Sequence, residues 1–307
     1  MEQRKIGSLN VSLAGLGCNN FGWRIGPEQS AAVVDAALDA GINFFDTADV
    51  YGAGASEEFL GKALGPRRKT ILIATKFGIQ TERFAGGAKP EYIRQAIDGS
   101  LSRLNTDYVD LYQLHKPDPN TPIADTLGAL DDLVRAGKVR EIGCSNFSAD
   151  QLREASAVAA PGAARFASVQ NEYSLLQREP ETEVLPECVR QGIALIPYFP
   201  LANGLLTGKY RLGRPIPAGS RAEAGFGPKV FTDENLALVE NLIRFTESRR
   251  HTILELAVSW LAGQPAVASV IAGAKTAEQV KANAAAMAWK LSEPEMAEVR
   301  QILAPRK

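Results

Sequence analysis

Asp46, Tyr51, Lys76 and His115 stand at, or just beyond, the ends of short runs of Val, Ile, Leu, Phe and Thr. The runs are INFFD ending at Asp46 with Tyr51 in the loop beyond, ILIATK ending at Lys76, and YVDLYQLH ending at His115. Three strands would thus bring a carboxylate, a phenol, an ammonium and an imidazole to one rim, where a barrel of parallel strands puts its reactive groups. Their shared chemistry is proton management, which points to an enzyme. A free phenol has a pKa of about 10 and keeps its proton at neutral pH. An ammonium about 4 Å away attracts the phenolate by about 4 kcal/mol at an effective dielectric of 20, enough to lower that pKa by up to about three units. Lys76 is therefore expected to tune Tyr51 as an acid, and Asp46 to keep Lys76 charged. His115 is expected to orient a substrate oxygen by hydrogen bonding. Singly, each has an ordinary structural reading: a cap or loop carboxylate, two rim residues, a satisfied strand-end imidazole. Together, in this order at successive strand ends, chance explains them poorly.

The elements that must position these groups alternate along the chain. QSAAVVDAALDA carries a helical apolar stripe that stops at Gly41, and INFFD follows as a buried strand. SEEFLGKALG, KPEYIRQAIDGSLSRL with Pro90 in its first turn, and ADTLGALDDLVRAG closed by Gly137 read as further helices between the strands ILIATKF, VDLYQLH and KVREIGCSN. SADQLREASAVAA, RFASVQNEY, EVLPECVRQG and IALIPYF continue the pattern. Strand ends near Phe45, Thr75, Leu114, Cys144, Val169 and Tyr198 recur about every 25 to 40 residues. With GLG near Gly17 and SVIAG near Ile271 they give eight strands. The simplest closure is an α/β fold of the (β/α)8 TIM barrel type, one domain over 1–307, and an open doubly wound sheet is the alternative. Against the open sheet, AGLGCNNFG has Asn20, and GAGASE has Glu57, where the third glycine of a dinucleotide fingerprint belongs. RKIGSLNVSL predicts an N-terminal β-hairpin capping the barrel bottom. The Gly-, Pro- and cation-rich stretch PLANGLLTGKYRLGRPIPAGSRAEAGFGPK predicts a long loop, functional or disordered, followed by extra C-terminal helices.

Composition narrows the partners. A net charge of −1 at 45% hydrophobic residues offers neither nucleic acid nor an acidic membrane surface a basic face. No segment approaches the roughly 20 apolar residues of a membrane span, and MEQRKIGSLN is no signal peptide, so the expectation is a cytoplasmic protein. Cys18, Cys144 and Cys188 have neither CxxC nor Cys/His spacing, so no metal site is expected and the cysteines read as free thiols. Tyr112 and Lys116 form a Tyr-x-x-x-Lys pair, a spacing that brings two side chains together on a helix. In a strand running into Pro117 it separates them by about 13 Å, so this pair is set aside.

FFDTADVYG, ATKFG, LYQLHKPD, IGCSNF, VQNEYS and IPYFPLANGLLTGKY, in register over nearly the whole chain, resemble the aldo-keto reductases. The branch most similar is the bacterial one akin to the β subunits of voltage-gated potassium channels. The resemblance assigns Asp46, Tyr51, Lys76 and His115 the same four catalytic roles. It implies reduction of an aldehyde or ketone by hydride transfer from NADP(H), with Tyr51 as general acid/base. The channel subunits carry asparagine at the position of His115, so the intact histidine favours turnover over a second reading, an NADP(H)-binding regulatory subunit that senses redox state. A barrel aldolase or isomerase using Lys76 as a Schiff base is a third.

If a nicotinamide supplies the hydride, Tyr198 is placed to stack on its ring, and Ser145, Asn146 and Gln170 offer polar partners for its carboxamide. Gly204 permits close backbone approach, and Lys209, Arg221 and Lys275 supply charge for phosphates. The resemblance places Arg221, Gly273, Lys275, Gln279 and Asn283 around the adenosine half, with the cations near a 2′-phosphate. That favours NADP(H), with NAD(H) as the other candidate. It also implies cofactor contacts by Cys18, Asn19, Asp46, Pro200, Leu201 and Ala202. Departures are Ala282 in place of a common glutamate, Ala272 in place of a common proline, and Cys18 and Asn19 where the channel subunits have Thr and Trp. Trp23 and Arg24, with Tyr51 and His115, are expected to line the pocket for a small-molecule carbonyl substrate.

Overall fold

A hairpin opens the chain in the computed structural model, which describes residues 1–225, 227 and 229–304. Its strands β1 (Gln3–Ile6) and β2 (Leu9–Ser12) pair antiparallel across Gly7 and Ser8, with Gly7 at a φ of 54°. Eight parallel strands follow: β3 (Ala14–Gly17), β4 (Phe44–Asp46), β5 (Leu72–Phe77), β6 (Val109–Leu114), β7 (Val139–Ser145), β8 (Phe166–Glu172), β9 (Ala194–Tyr198) and β10 (Val270–Gly273). They pair in the order β10-β3-β4-β5-β6-β7-β8-β9. The parallel bridge between Leu195 and Val267 completes the ring, with the Leu195 amide donating to the Ala266 carbonyl at 2.7 Å. The eight strands therefore form a nearly closed barrel, with β9 joined to the approach to β10 by this bridge.

Helices α1 (Pro27–Asp39), α2 (Ala55–Leu64), α3 (Pro90–Leu104), α4 (Ile123–Arg135), α5 (Ala149–Val158) and α6 (Val184–Gln191) each cross between successive strands. Local chemistry sets their ends. Pro27 and Pro90 lie in first turns, Ser148 and Gln151 form a capping box on α5, and Asn105 and Gly192 end their helices in left-handed conformation. Of the four later helices, α8 (Ile253–Ala262) makes the last crossover and α9 (Ala277–Ala285) follows β10. The other two, α7 (Asp233–Glu247) and α10 (Glu293–Ile302), are the extra helices and pack on each other. Among the described residues no helix is long and apolar enough to cross a membrane.

The period of two along the strands explains where the site must be. Phe44, Ala74, Leu111, Ile196 and Ile271 meet inside the barrel, and Ile6, Leu9 and Val11 of the hairpin plug it from below. Two residues further along the same strands stand Asp46, Lys76, Gln113, Tyr198 and Gly273. A polar layer thus sits directly above an apolar one, at the C-terminal rim.

Two sequence expectations change in detail. INFFD is strand only over Phe44–Asp46, because Ile42 and Asn43 belong to the approach. The stretch between β9 and α7 contains a short 3-10 helix at Ala202–Thr207. Its Phe226 and Pro228, like residues 305–307 at the end of the expected domain, lie outside the described residues.

Candidate active site

Lys76 is fully buried on the inner face of β5, and its ammonium donates to three oxygens. It reaches Asp46 Oδ1 at 2.6 Å, the Thr47 carbonyl at 2.8 Å and the Tyr51 hydroxyl at 3.4 Å. Burial is the largest single influence and disfavours the charged ammonium, but Asp46 and Tyr51 together outweigh it and the pKa is raised above that of a free lysine. The second Asp46 oxygen accepts from Gln113 Nε2 at 3.2 Å and Gln170 Nε2 at 2.9 Å. Each lone-pair direction that matters has a partner, so the buried ion pair is satisfied rather than merely paired.

Tyr51 arrives on a 3-10 turn between β4 and α2, Tyr51–Gly54. Gly52 has a φ of 57°, and a Cβ there would stand 2.8 Å from the Phe21 carbonyl oxygen, so the turn requires glycine. The expectation that Lys76 would lower the Tyr51 pKa needs correcting in its net sign. Loss of water around the phenolate raises the pKa above the ordinary phenol value, and Lys76 only moderates that rise. At rest the side chain is a neutral acid whose conjugate base has a cation waiting 3.4 Å away.

His115 follows β6 and is 9% exposed, with its ring edge-on to Tyr51 at 5.8 Å between centroids and 81° between planes. Burial first, then Lys76 and Lys116, push its pKa down to about 3. The imidazole is neutral, so it carries one N–H donor. Nδ1 is buried without a partner, which leaves Nε2 as the atom able to address a substrate.

Tyr51 and His115 form one end of a cavity of about 780 Å³, the size of a cofactor pocket. Ser145, Asn146, Gln170 and Tyr198 line the next section. They are mutually fixed: Ser145 Oγ donates to the Gln170 carbonyl at 2.7 Å, and the Tyr198 hydroxyl donates to Asn146 Oδ1 at 2.9 Å. Asn19, Pro200, Leu201, Gly204, Lys209, Arg221, Gly273, Lys275, Gln279 and Asn283 continue the wall to the first turns of α9. The backbone is left-handed at Phe199, Ala202, Asn203 and Gly204, a concentration of strain of the kind that marks ligand clamps.

The lining fits a dinucleotide phosphate. A Cβ on Gly273 would stand 3.0 Å from Asn19 Oδ1 and 3.1 Å from Asn20 Nδ2, so bare backbone keeps this cradle open. Among the described lining residues the sole carboxylate is Asp46, which already serves Lys76, whereas Arg24, Lys116, Lys209, Arg221 and Lys275 are cationic. Burial and the neighbouring Arg24 draw down the pKa of Arg221, a tension that a bound anion would relieve.

Three expected contacts are not in the cavity wall. Cys18 is fully buried with its thiol directed at the Leu16 carbonyl, Ala202 is core, and Trp23 is 54% exposed at the rim under the Arg24 guanidinium, 4.5 Å from its ring. All three cysteines are buried and free. Tyr112 of the rejected pair faces outward and stacks on Phe77 at 4.6 Å. Sequence reasoning passed over Gln113, although its spacing of two from His115 puts a polar group on the inner face. It also passed over Asn20, Asn203 and Thr207, whose loops give no periodic signal.

Residues 14–304 match the Aldo/keto reductase family. A Schizosaccharomyces pombe protein named as an NADP(+) aldo-keto reductase is 37% identical over 97% of this chain and 90% of its own. An Oryza sativa protein named "Probable voltage-gated potassium channel subunit beta" is 35% identical over 94% of this chain and 91% of its own. Among solved structures, a glycerol dehydrogenase from Gluconobacter oxydans superposes with a TM-score of 0.85 at 30% identity, over 98% of this chain and 94% of that one.

Proposed function

This chain belongs to the aldo/keto reductase family, an oxidoreductase family, and we propose that it reduces an aldehyde or ketone to an alcohol with NADPH, with Tyr51 as the acid. The observation that carries the reading is Lys76, which bonds Asp46 at 2.6 Å and Tyr51 at 3.4 Å beside an open cavity. A bound nicotinamide would supply the hydride that the carbonyl carbon needs. The chain's own residues manage everything else. His115, neutral, donates to the carbonyl oxygen and fixes its orientation. Tyr51 gives its Oη proton to that oxygen as charge develops there, and the Lys76 ammonium stabilises the phenolate left behind. Asp46 keeps Lys76 charged throughout the cycle. In the oxidative direction the phenolate takes the alcohol proton back.

Tyr198, Ser145, Asn146 and Gln170 would hold the nicotinamide end. Lys209, Arg221 and Lys275 would meet the phosphates, and a 2′-phosphate suits this many cations better than a bare ribose. The name of the S. pombe relative supports NADP in the same direction. A second reading, a cofactor-binding sensor with little turnover, draws on the 35% identity to the named channel subunit. The complete set of Asp46, Tyr51, Lys76 and His115 favours turnover.

Mixing the protein with NADPH and a panel of small aldehydes, while nicotinamide absorbance is followed, separates these readings. Oxidation of NADPH that depends on aldehyde is expected. Tight NADPH binding without oxidation would make the sensor the better reading, and absence of binding would overturn both.

A further inference from the structure

Outside the cavity lining, on residues of the β4–α2 connection, α3 and the outer face of β6, four polar atoms are buried without a hydrogen-bond partner. They are both carboxyl oxygens of Asp49 and the hydroxyls of Tyr92 and Tyr112. Asp49 is 1% exposed. Folded proteins seldom leave such atoms orphaned, and a cluster of them marks a place for internal water or an uncharged state. Here they share one place. Tyr112 comes from the outer face of β6, Tyr92 from α3, and both feel the charge of Asp49. The amides of Val50 and Gly86 approach Asp49 and Tyr92 without reaching sound hydrogen-bond geometry.

The surrounding charges give Asp49 no cation of its own. Glu57 of α2, fully buried, accepts from Thr75 Oγ1 at 2.5 Å and from Arg103 Nε of α3 at 2.7 Å. Arg103 is thereby committed to Glu57, and Lys76 of β5 to Asp46. An ionised Asp49 would be a second buried carboxylate beside Glu57. The same residue is tied to the catalytic turn. Its amide donates to the Lys76 carbonyl at 3.1 Å, and the Tyr51 amide donates to the Ala48 carbonyl at 3.2 Å, so the segment that presents Tyr51 hangs from β5 through residue 49.

We propose that Asp49 is a positioning residue for Tyr51: its protonated carboxyl holds internal water with the Tyr92 and Tyr112 hydroxyls, and on ionising it weakens the acid of the tetrad. The inference rests on the reading of Tyr51 as that acid. Burial, then Glu57, push the Asp49 carboxyl up to about 7, against the pull of the Val50 amide, Arg103 and Lys76. Because the folded-state pKa lies above the ordinary aspartate value, the associated stability is complete at low pH and is lost as pH rises through about 7. His115 and Tyr51 titrate well away from that point, in opposite directions.

The test compares wild type with the isosteric Asp49→Asn at saturating NADPH and aldehyde, between about pH 5.5 and 8.5. Wild-type kcat for reduction is expected to fall about threefold or more, with a midpoint near 7, while the variant changes less than about twofold. The infrared band of a protonated carboxyl at acid pH is expected in wild type and absent from Asp49→Asn, and wild-type Tm is expected to drop across the interval more steeply than that of the variant. The same midpoint and amplitude in both proteins, with equal Tm slopes, would overturn the proposal. Should Asp49→Asn fail to fold, Tyr112→Phe replaces it. Loss of a water partner is expected to move the midpoint upward, and an unmoved midpoint counts against the proposal. If wild type shows no turnover, the reading of Tyr51 fails, while the infrared band and Tm still decide whether Asp49 is protonated.

Discussion

Lys76 shows how a single residue can hold a site together, since one buried ammonium binds the carboxylate of β4, the carbonyl of Thr47 and the Tyr51 phenol. Asp46→Asn removes its counter-charge and leaves the cation buried and alone. The expected cost is about 3–5 kcal/mol in denaturant unfolding, together with loss of turnover. A loss below about 1 kcal/mol would show that the pair does not anchor the rim. His115, pushed down to about 3, gives a different expectation: no imidazole limb between about pH 5 and 8 in the kcat/KM profile of reduction. Such a limb, present in wild type and absent from His115→Asn, would contradict the neutral imidazole. The four polar residues that meet at the rim were legible in the sequence because each ends an apolar run or lies just beyond one. The direction of the Tyr51 shift was not, since it depends on how much water the phenolate loses, and only the packed turn sets that. Asp49 escaped notice for the same reason, because between Thr47 and Tyr51 it reads as one more loop carboxylate.

Strands and helices were legible because burial on both faces and helical stripes leave different periods, so eight strands, the hairpin and the crossover helices follow from patterning alone. Strand length was less so: β4 keeps only Phe44–Asp46 because its neighbours supply partners over that span. Close packing between elements left no signal at all. Gly61 of α2 lies against α3, and a Cβ there would come within 2.6 Å of the Leu104 carbonyl carbon. Backbone cannot move aside as a side chain can. Gly61→Ala is therefore expected to lower unfolding stability by about 1–3 kcal/mol and to disturb the helix that follows the Tyr51 turn. Unchanged thermal unfolding would show that α2 and α3 slide apart freely.

Across the molecule, an apolar layer plugged by the hairpin supports a polar layer at the rim, and the cavity above that layer gathers cations from segments far apart in sequence. Lys209, Arg221 and Lys275 meet in one wall, a convergence that composition could not reveal in a chain of net charge −1. Family resemblance suggested it, and the barrel, which brings the ends of distant strands to one rim, accounts for it. Arg221→Met is expected to raise the KM for NADPH about tenfold or more while changing that for NADH by less than about threefold, because a guanidinium–phosphate contact contributes about 1.5–3 kcal/mol. Equal losses for both cofactors would place Arg221 away from a 2′-phosphate. The proposed reaction depends on Tyr51 delivering a proton inside a cavity that would hold the cofactor. The most direct measurement is NADPH titration by fluorescence together with aldehyde-dependent NADPH oxidation in Tyr51→Phe. The expected result is binding within about twofold of wild type with kcat reduced by about 10²-fold or more, and retention of near-wild-type kcat would contradict it.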